Sequence, residues 1–395
     1  MSATEASKFF EQSTSLVRGG PFYWGLSRTG ILKRGSVQAG LLVAVAIWLP
    51  LLLLATVEAL IVAGRVQVPF FLDPVPHVSY LITVPLLFFA EAAVDRAWAE
   101  TVGGFEQGGF VPRSEGARFA EAVAEAHNGR DLVAVEAALL VAALGFSIAD
   151  ALGGERTHRF SSWLAPLPEA IGQLSLAGWW NTLVAAPLYT FLFYRWVWRL
   201  FLWARFLWRM TGLNLHLVAY HPDRAGGLGF LVFLPLAGAV LVFARAVTLA
   251  AVFSARILFA GAALADFRIA FAVFLVLALG LLLGPLLLFL PELARLRHQG
   301  ILEYGAFAAE YGRDFRRKWI KKDNPGGDPP LGSSDIQSLA DLGNSFEIVE
   351  SMRVVPCTLR TVLLVVVAAT LPMLPVLATV FPWRDILVQI VKLLF

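Results

Sequence analysis

The sequence predicts an all-α protein: a polytopic transmembrane helical bundle of about seven crossings with a small helical cytoplasmic module. Three observations carry that expectation. About seven apolar stretches approach the roughly 20 residues that an α-helix needs to cross a bilayer's hydrocarbon core. Of 395 residues 58% are hydrophobic and 15% charged, with a mean hydropathy of +0.69, whereas a water-soluble domain carries about a quarter of charged residues. Lysine and arginine, finally, concentrate in every second segment between the apolar stretches.

Residues 1–36 read as a cytoplasmic N-terminal segment, polar and carrying Lys8, Arg18, Arg28, Lys33 and Arg34. They lack a short apolar region followed by a small-residue cleavage site, so the first apolar helix is expected to stay in the mature protein. The expected spans are 37–63, 77–95, 132–150, 176–198, 228–250 and 269–290, all within a membrane region 37–292, and a seventh at 358–381. The loop after the first span has only Arg65, and the next segment has Arg96, Arg113, Arg118 and Arg130. Arg156 and Arg159 follow, then Arg195, Arg199, Arg205, Arg209 and Arg224. That alternation places the N-terminus in the cytoplasm and the C-terminus outside. The apolar connection 251–267 reads as a re-entrant segment or an extension of the fifth helix.

Helical spacing persists beyond the sixth span through Tyr304, Ala308, Tyr311, Phe315 and Trp319. Prolines and glycines at 323–332 break it. Ser334 then starts a new helix, with Gln337 completing a capping box and Ile336, Leu339, Leu342, Phe346 and Val349 as its apolar stripe. Residues 293–355 are therefore expected to form a cytoplasmic helical module, and 356–395 the last span plus an amphipathic tail, 383–395, at the outer interface.

The single Cys357 excludes an intrachain disulfide and any multi-cysteine metal or iron–sulfur site. A net charge of +3 is explained by membrane topology, and no nucleic-acid partner is expected. No G-x-S-x-G, H-E-x-x-H, Walker A or dinucleotide fingerprint occurs, and neither a cofactor nor a resident metal is expected.

Chemistry inside the bilayer is sought at ionisable residues, which cost about 2.5–3.5 kcal/mol there and face a bundle interior or wet cavity. Glu58 and Arg245 fall at one depth, near the outer ends of the first and fifth spans, and are expected to pair. Glu91 and Glu136 fall at a second shared depth near the inner ends of theirs. Asn181, Thr182 and Tyr189 are positioned to line a path between the levels, and prolines such as Pro85 and Pro187 free backbone carbonyls. Arg195 with Arg199, and Arg205 with Arg209, have the i, i+4 spacing of one helix face, and all four are expected at lipid headgroups. His216, His221, Asp223 and Arg224, with Gly226, Gly227 and Gly229, form either a ligand loop or a tight turn. The other histidines, His77 among them, read as scattered and solvated.

The stretches HPDRAGGLGF (221–230) and SDIQSLADLGNSFEIVESMRVVP (334–356) resemble a group of bacterial polytopic membrane proteins. The resemblance implies a bacterial inner-membrane setting and carries no activity, substrate or site residue. The leading functional expectation is a membrane conduit, an oligomeric ion channel or ion-coupled transporter. It assigns Glu58, Glu91, Glu136, Arg245 and Asn181 to the ion path. A homo-oligomer is expected; the alternatives are a sensor or scaffold that binds a cytoplasmic protein through its helical module, and a lipid-modifying enzyme using His216, His221 and Asp223.

Overall fold

The computed structural model describes residues 15–62, 66, 68–153, 162–165, 174–321 and 334–380. Lys8, Arg65, Arg156, Arg159, the break at 323–332 and the tail 383–395 lie outside the described residues. The structure is all-helical, at 83% helix, and among the described residues the only β-pairing is one isolated bridge between Val68 and Ser162.

After the short α1 (Pro21–Arg28), α2 (Ser36–Val62) runs past an internal Pro50. Asp73 caps α3 (Pro74–Gln107), its Oδ1 accepting the Val75 amide at 3.0 Å. Then come α4 (Gly116–Arg130) and α5 (Val133–Gly153). Next is α6, which begins as Leu176–Trp180, widens into a π turn over Asn181–Ala185 and continues as Ala186–Thr211. The chain ends with α7 (Leu228–Ala260), α8 (Leu264–Ile320), α9 (Ser334–Glu350) and α10 (Leu359–Leu377).

Six of these helices, α2, α3, α5, α7, α8 and α10, are long and apolar enough to cross a membrane, and the chain is a multi-pass membrane protein. The expected fourth span, α6, is a continuous helix packed along α5 but falls outside that set, because Trp179, Trp180, Asn181, Tyr189 and Tyr194 dilute its apolar content. The connection 251–267 resolves as an extension: α7 continues to Ala260, Gly261 ends it at φ 64°, and α8 starts at Leu264.

Helix α3 lies between α2 and α7, α10 packs on α7, and α6 packs on α5 and α4. Where α3, α4 and α6 meet, Trp98, Phe105, Trp203 and Phe206 are fully buried, with the Trp98 and Phe206 rings edge to face at 4.8 Å. Large apolar side chains such as Leu60 (80% exposed), Val141 and Ile269 point outward, the arrangement that lipid as solvent requires.

At 57 residues α8 has a contour of about 85 Å, far beyond a hydrocarbon core of about 30 Å, so much of it must leave the bilayer. It tightens to a 3₁₀ ladder over Gly284–Phe289, where Pro285 withholds an N–H. Its far half pairs with α9 as a helical hairpin, with Gly300 against Val349 and Asp335 bonded to Lys318 at 2.6 Å and Trp319 at 3.1 Å. Ser334, the expected cap, is the first residue of α9, and Gln337 donates to Asp341 at 2.9 Å, one turn on.

Candidate functional site

Two polar regions interrupt the apolar bundle. The first is built by prolines. Pro85 and Pro187 cannot donate to the carbonyls four residues back, and each follows a π turn, His77–Thr83 in α3 and Asn181–Ala185 in α6. The two widened turns face each other, and Tyr80 Oη donates to Asn181 Oδ1 across them at 2.6 Å. Beside them lies a cavity of about 710 Å³, within the range of small-molecule sites, lined by Ser79, Tyr80, Asn181, Tyr189, Arg245 and Thr248. Its wall along α7 runs from Arg245 to Ala260, about 22 Å, and Asp150, Arg256 and Asp266 stand toward the far end.

Hydrogen bonding at the cavity floor has a fixed direction. Arg245 Nη1 donates to Tyr189 Oη at 3.2 Å, Tyr189 Oη donates to Thr248 Oγ1 at 3.0 Å, Thr248 Oγ1 meets Thr83 Oγ1 at 2.8 Å, and Thr83 Oγ1 donates to the Ala244 carbonyl at 3.3 Å. A guanidinium only donates and a carbonyl only accepts, so the three hydroxyls are aligned and their protons are committed. Two donors beside them are not. Among the described residues the Asn181 amide NH₂ has no protein partner, and Arg245 has only Tyr189 and the Phe193 ring, 5.3 Å from its guanidinium carbon.

The second region is a cluster of charges gathered by the strap Ser15–Gly20. Asp95 accepts from Ser15 Oγ at 2.7 Å and the Val17 amide at 2.9 Å, and meets Arg18 at 3.1 Å. Arg130 holds the Ser15 carbonyl and pairs with Asp131 at 2.6 Å, while Asp131 accepts the Gly20 amide at 2.8 Å. Glu136 accepts from Arg195 Nε at 2.9 Å and from the Phe22 amide at 2.8 Å. The Gly19 carbonyl accepts from Arg199 at 3.2 Å and Arg195 at 3.4 Å, and the Arg195 guanidinium lies over the Phe22 ring at 4.7 Å. Glu91 is buried without a hydrogen bond among the described residues, balanced by the charges of Arg195 and Arg199. Four acids, Glu91, Asp95, Asp131 and Glu136, stand against four arginines, Arg18, Arg130, Arg195 and Arg199, equal numbers of opposite formal charge.

Glycine is required where the strap turns. Gly20 has φ 87°, and a Cβ there would lie 2.6 Å from Glu136 Oε1; one on Gly19 would overlap the Arg130 guanidinium.

Several expectations are corrected by this geometry. Glu58 does not meet Arg245; it caps α6, accepting the Leu176 amide at 2.6 Å and the Ala177 amide at 3.4 Å, where the helix dipole favours a negative charge. Arg195 and Arg199 share one helix face, as their spacing requires, but each is 3% exposed and turned into the cluster rather than toward headgroups. Arg205 and Arg209 reach Glu125 of α4, Arg205 at 3.2 Å. Nor is His77 solvated: it accepts from Trp48 Nε1 at 3.0 Å, which leaves Nε2–H to donate to the Phe70 carbonyl at 3.0 Å.

The loop holding His216, His221, Asp223 and Arg224 is a bracing turn rather than a ligand loop. Asp223 accepts the amides of Ala225 (2.8 Å), Gly227 (3.1 Å) and Gly229 (2.7 Å) and meets His221 Nδ1 at 2.8 Å. Burial raises the Asp223 carboxyl, but the amides and the His221 ring outweigh it and hold it below its ordinary range. Arg224, in the left-handed region at φ 54°, gives its carbonyl to the Arg353 amide at 2.7 Å. His216 is exposed, its backbone N–H bonded to the Phe110 carbonyl. Among the described residues no group of three or more His, Cys, Asp or Glu is placed to hold a metal ion.

The cavity contains the expected Asn181, Tyr189 and Arg245, and adds Tyr80, which the sequence signals only through Pro85 behind it, and Thr248, backed by the buried Thr83, which has no such signal. The cluster contains the expected Glu91 and Glu136, and adds Arg18, Asp95, Arg130 and Asp131, whose sequence signal is no more than the polarity of span ends. Comparison of the chain with known families, curated proteins and solved structures gives no match.

Proposed function

We propose that this chain is a membrane conduit held closed: the cavity is a vestibule for an anionic solute, and the cluster at the strap is its barrier. One observation carries the reading. An arginine within a span, bonded to no carboxylate, opens together with an unspent amide onto a solute-sized cavity, and such a cation needs an anion to balance it. With α6 counted as a seventh crossing, the alternation of basic segments favours the cytoplasmic side for the cluster and the α8–α9 hairpin and the outer side for the cavity mouth. The vestibule lies within one chain, which favours a transporter-like path over a pore between subunits.

A second reading has its own support. Helix α8 is continuous from the cavity wall at Asp266 and Ala270 to the hairpin with α9, so occupancy of the cavity would be sensed by the elements expected in the cytoplasm. This is the sensor alternative, and it shares the vestibule.

Flux through proteoliposomes tests the conduit. Radiolabelled short-chain carboxylate, but not an alkali cation, is expected to exchange through Glu136→Gln, far more slowly through the closed native chain, and not at all through Arg245→Gln. Absence of anion flux in both the native chain and Glu136→Gln, with ligand binding intact, leaves the sensor reading and removes the conduit.

A further inference from the structure

We infer that the vestibule takes an anionic amphiphile, with its acidic head at Arg245 and Asn181 and its acyl chain in the groove between α6, α7 and α8. This rests on reading the cavity as a ligand vestibule and names the class of ligand. The groove is an apolar space of about 490 Å³, walled by Phe193 and Trp196 of α6, Leu241 of α7, and Phe274, Leu277 and Leu281 of α8. It adjoins the polar cavity, since Arg245 and Ala270 belong to both walls.

The junction has the polarity of an amphiphile. On the cavity side stand donors, the Arg245 guanidinium and the Asn181 NH₂; on the groove side stand rings and aliphatic chains, with Phe193 under the guanidinium. The groove wall on α8 runs from Ala270 to Leu282, about 18 Å, close to the roughly 15 Å depth of one leaflet's hydrocarbon. A helix from a second copy would cover the groove but bring no charge to Arg245. A small anion would satisfy Arg245 but leave the groove unfilled. An acyl chain with an acidic head does both.

The test is binding of radiolabelled hexadecanoate to the full chain in nanodiscs of zwitterionic phosphatidylcholine. Saturable binding is expected, competed by neither an alkyl trimethylammonium of equal length nor inorganic phosphate. Arg245→Gln should weaken it about tenfold or more, while Arg245→Lys retains most of it. Val273, half-exposed on the groove wall, gives a second variant: Val273→Trp should fill the groove and weaken binding as strongly, with the unfolding temperature unchanged. Competition by anionic phosphatidylglycerol in the disc would assign the head to a membrane lipid, and its absence to a free acid.

Hexadecanoate binding indifferent to both Arg245→Gln and Val273→Trp overturns the inference. So does a dimer that Val273→Trp dissociates and that binds no hexadecanoate, which gives the groove to a second copy. Butyrate binding without hexadecanoate binding overturns the chain placement but keeps the vestibule; binding of neither removes both.

Discussion

Glu136 and Arg195 show how the charged residues are tolerated. Each is buried and bonded to the other, Glu136 also accepting from the Phe22 amide of α1 and Arg195 donating to the Gly19 carbonyl of the strap. Removing one partner leaves the other uncompensated, so Glu136→Ala should cost about 3–5 kcal/mol of unfolding free energy, while the double variant Glu136→Ala/Arg195→Ala recovers part of that loss. A double-mutant cycle on the chain in nanodiscs measures it, and additive losses would contradict the pairing. Gly20→Ala tests the strap: a Cβ at φ 87° and 2.6 Å from Glu136 should cost about 1–3 kcal/mol, and a neutral result would place the strap elsewhere. Sequence disclosed which residues are charged at membrane depth but not which meet. Depth follows from counting residues along a helix, whereas azimuth depends on how helices pack; hence Glu58 and Arg245 share a level by count yet serve different neighbours. Arg195 and Glu136 are 59 positions apart, and no local pattern announces their contact.

At the scale of elements, the helices follow their apolar runs closely. The run after the fifth span extends α7, and the spacing after the sixth extends α8 through Ile320. Less legible are the interruptions. Pro85 and Pro187 mark where a ladder must break, but whether a helix kinks or widens depends on neighbours able to take the freed groups. Here both widen, and their π turns present Tyr80 and Asn181 to one another. Pro187→Ala restores the missing donor and should favour a regular turn, which withdraws Asn181 and weakens anion binding by about threefold or more while the helix gains stability. Unchanged binding would detach the π turn from the site. The Asp223 turn gives a pH prediction. Its carboxyl is held below the ordinary value near 3.9, so its contribution to stability is complete at neutral pH and fades only as pH drops beneath about 4. Unfolding followed from pH 5 to 3 should show the native chain losing stability below pH 4 relative to Asp223→Asn. A difference that stays constant from pH 5 to pH 3 would contradict this role.

Across the whole molecule, the bundle joins a solute-sized cavity to the charge cluster through helices common to both. Helix α3 carries Ser79 and Tyr80 to the cavity and Glu91 and Asp95 to the cluster; α6 carries Asn181 and Tyr189 to one and Arg195 and Arg199 to the other. Any shift of α3 against α6 therefore changes both regions together, the coupling a gated path requires. The strap seals the cluster with backbone groups, a role invisible to hydropathy because residues 15–20 have neither an apolar period nor a charge run. The most direct test is sided labelling of the cavity. With the single cysteine replaced as Cys357→Ser, Val252→Cys on the cavity wall reports access of a membrane-impermeant thiol reagent in oriented vesicles. The account predicts labelling only from the side opposite the basic segments, with access from the basic side appearing in Glu136→Gln. Labelling of the native cluster-sealed chain from both sides, or from neither, would contradict it.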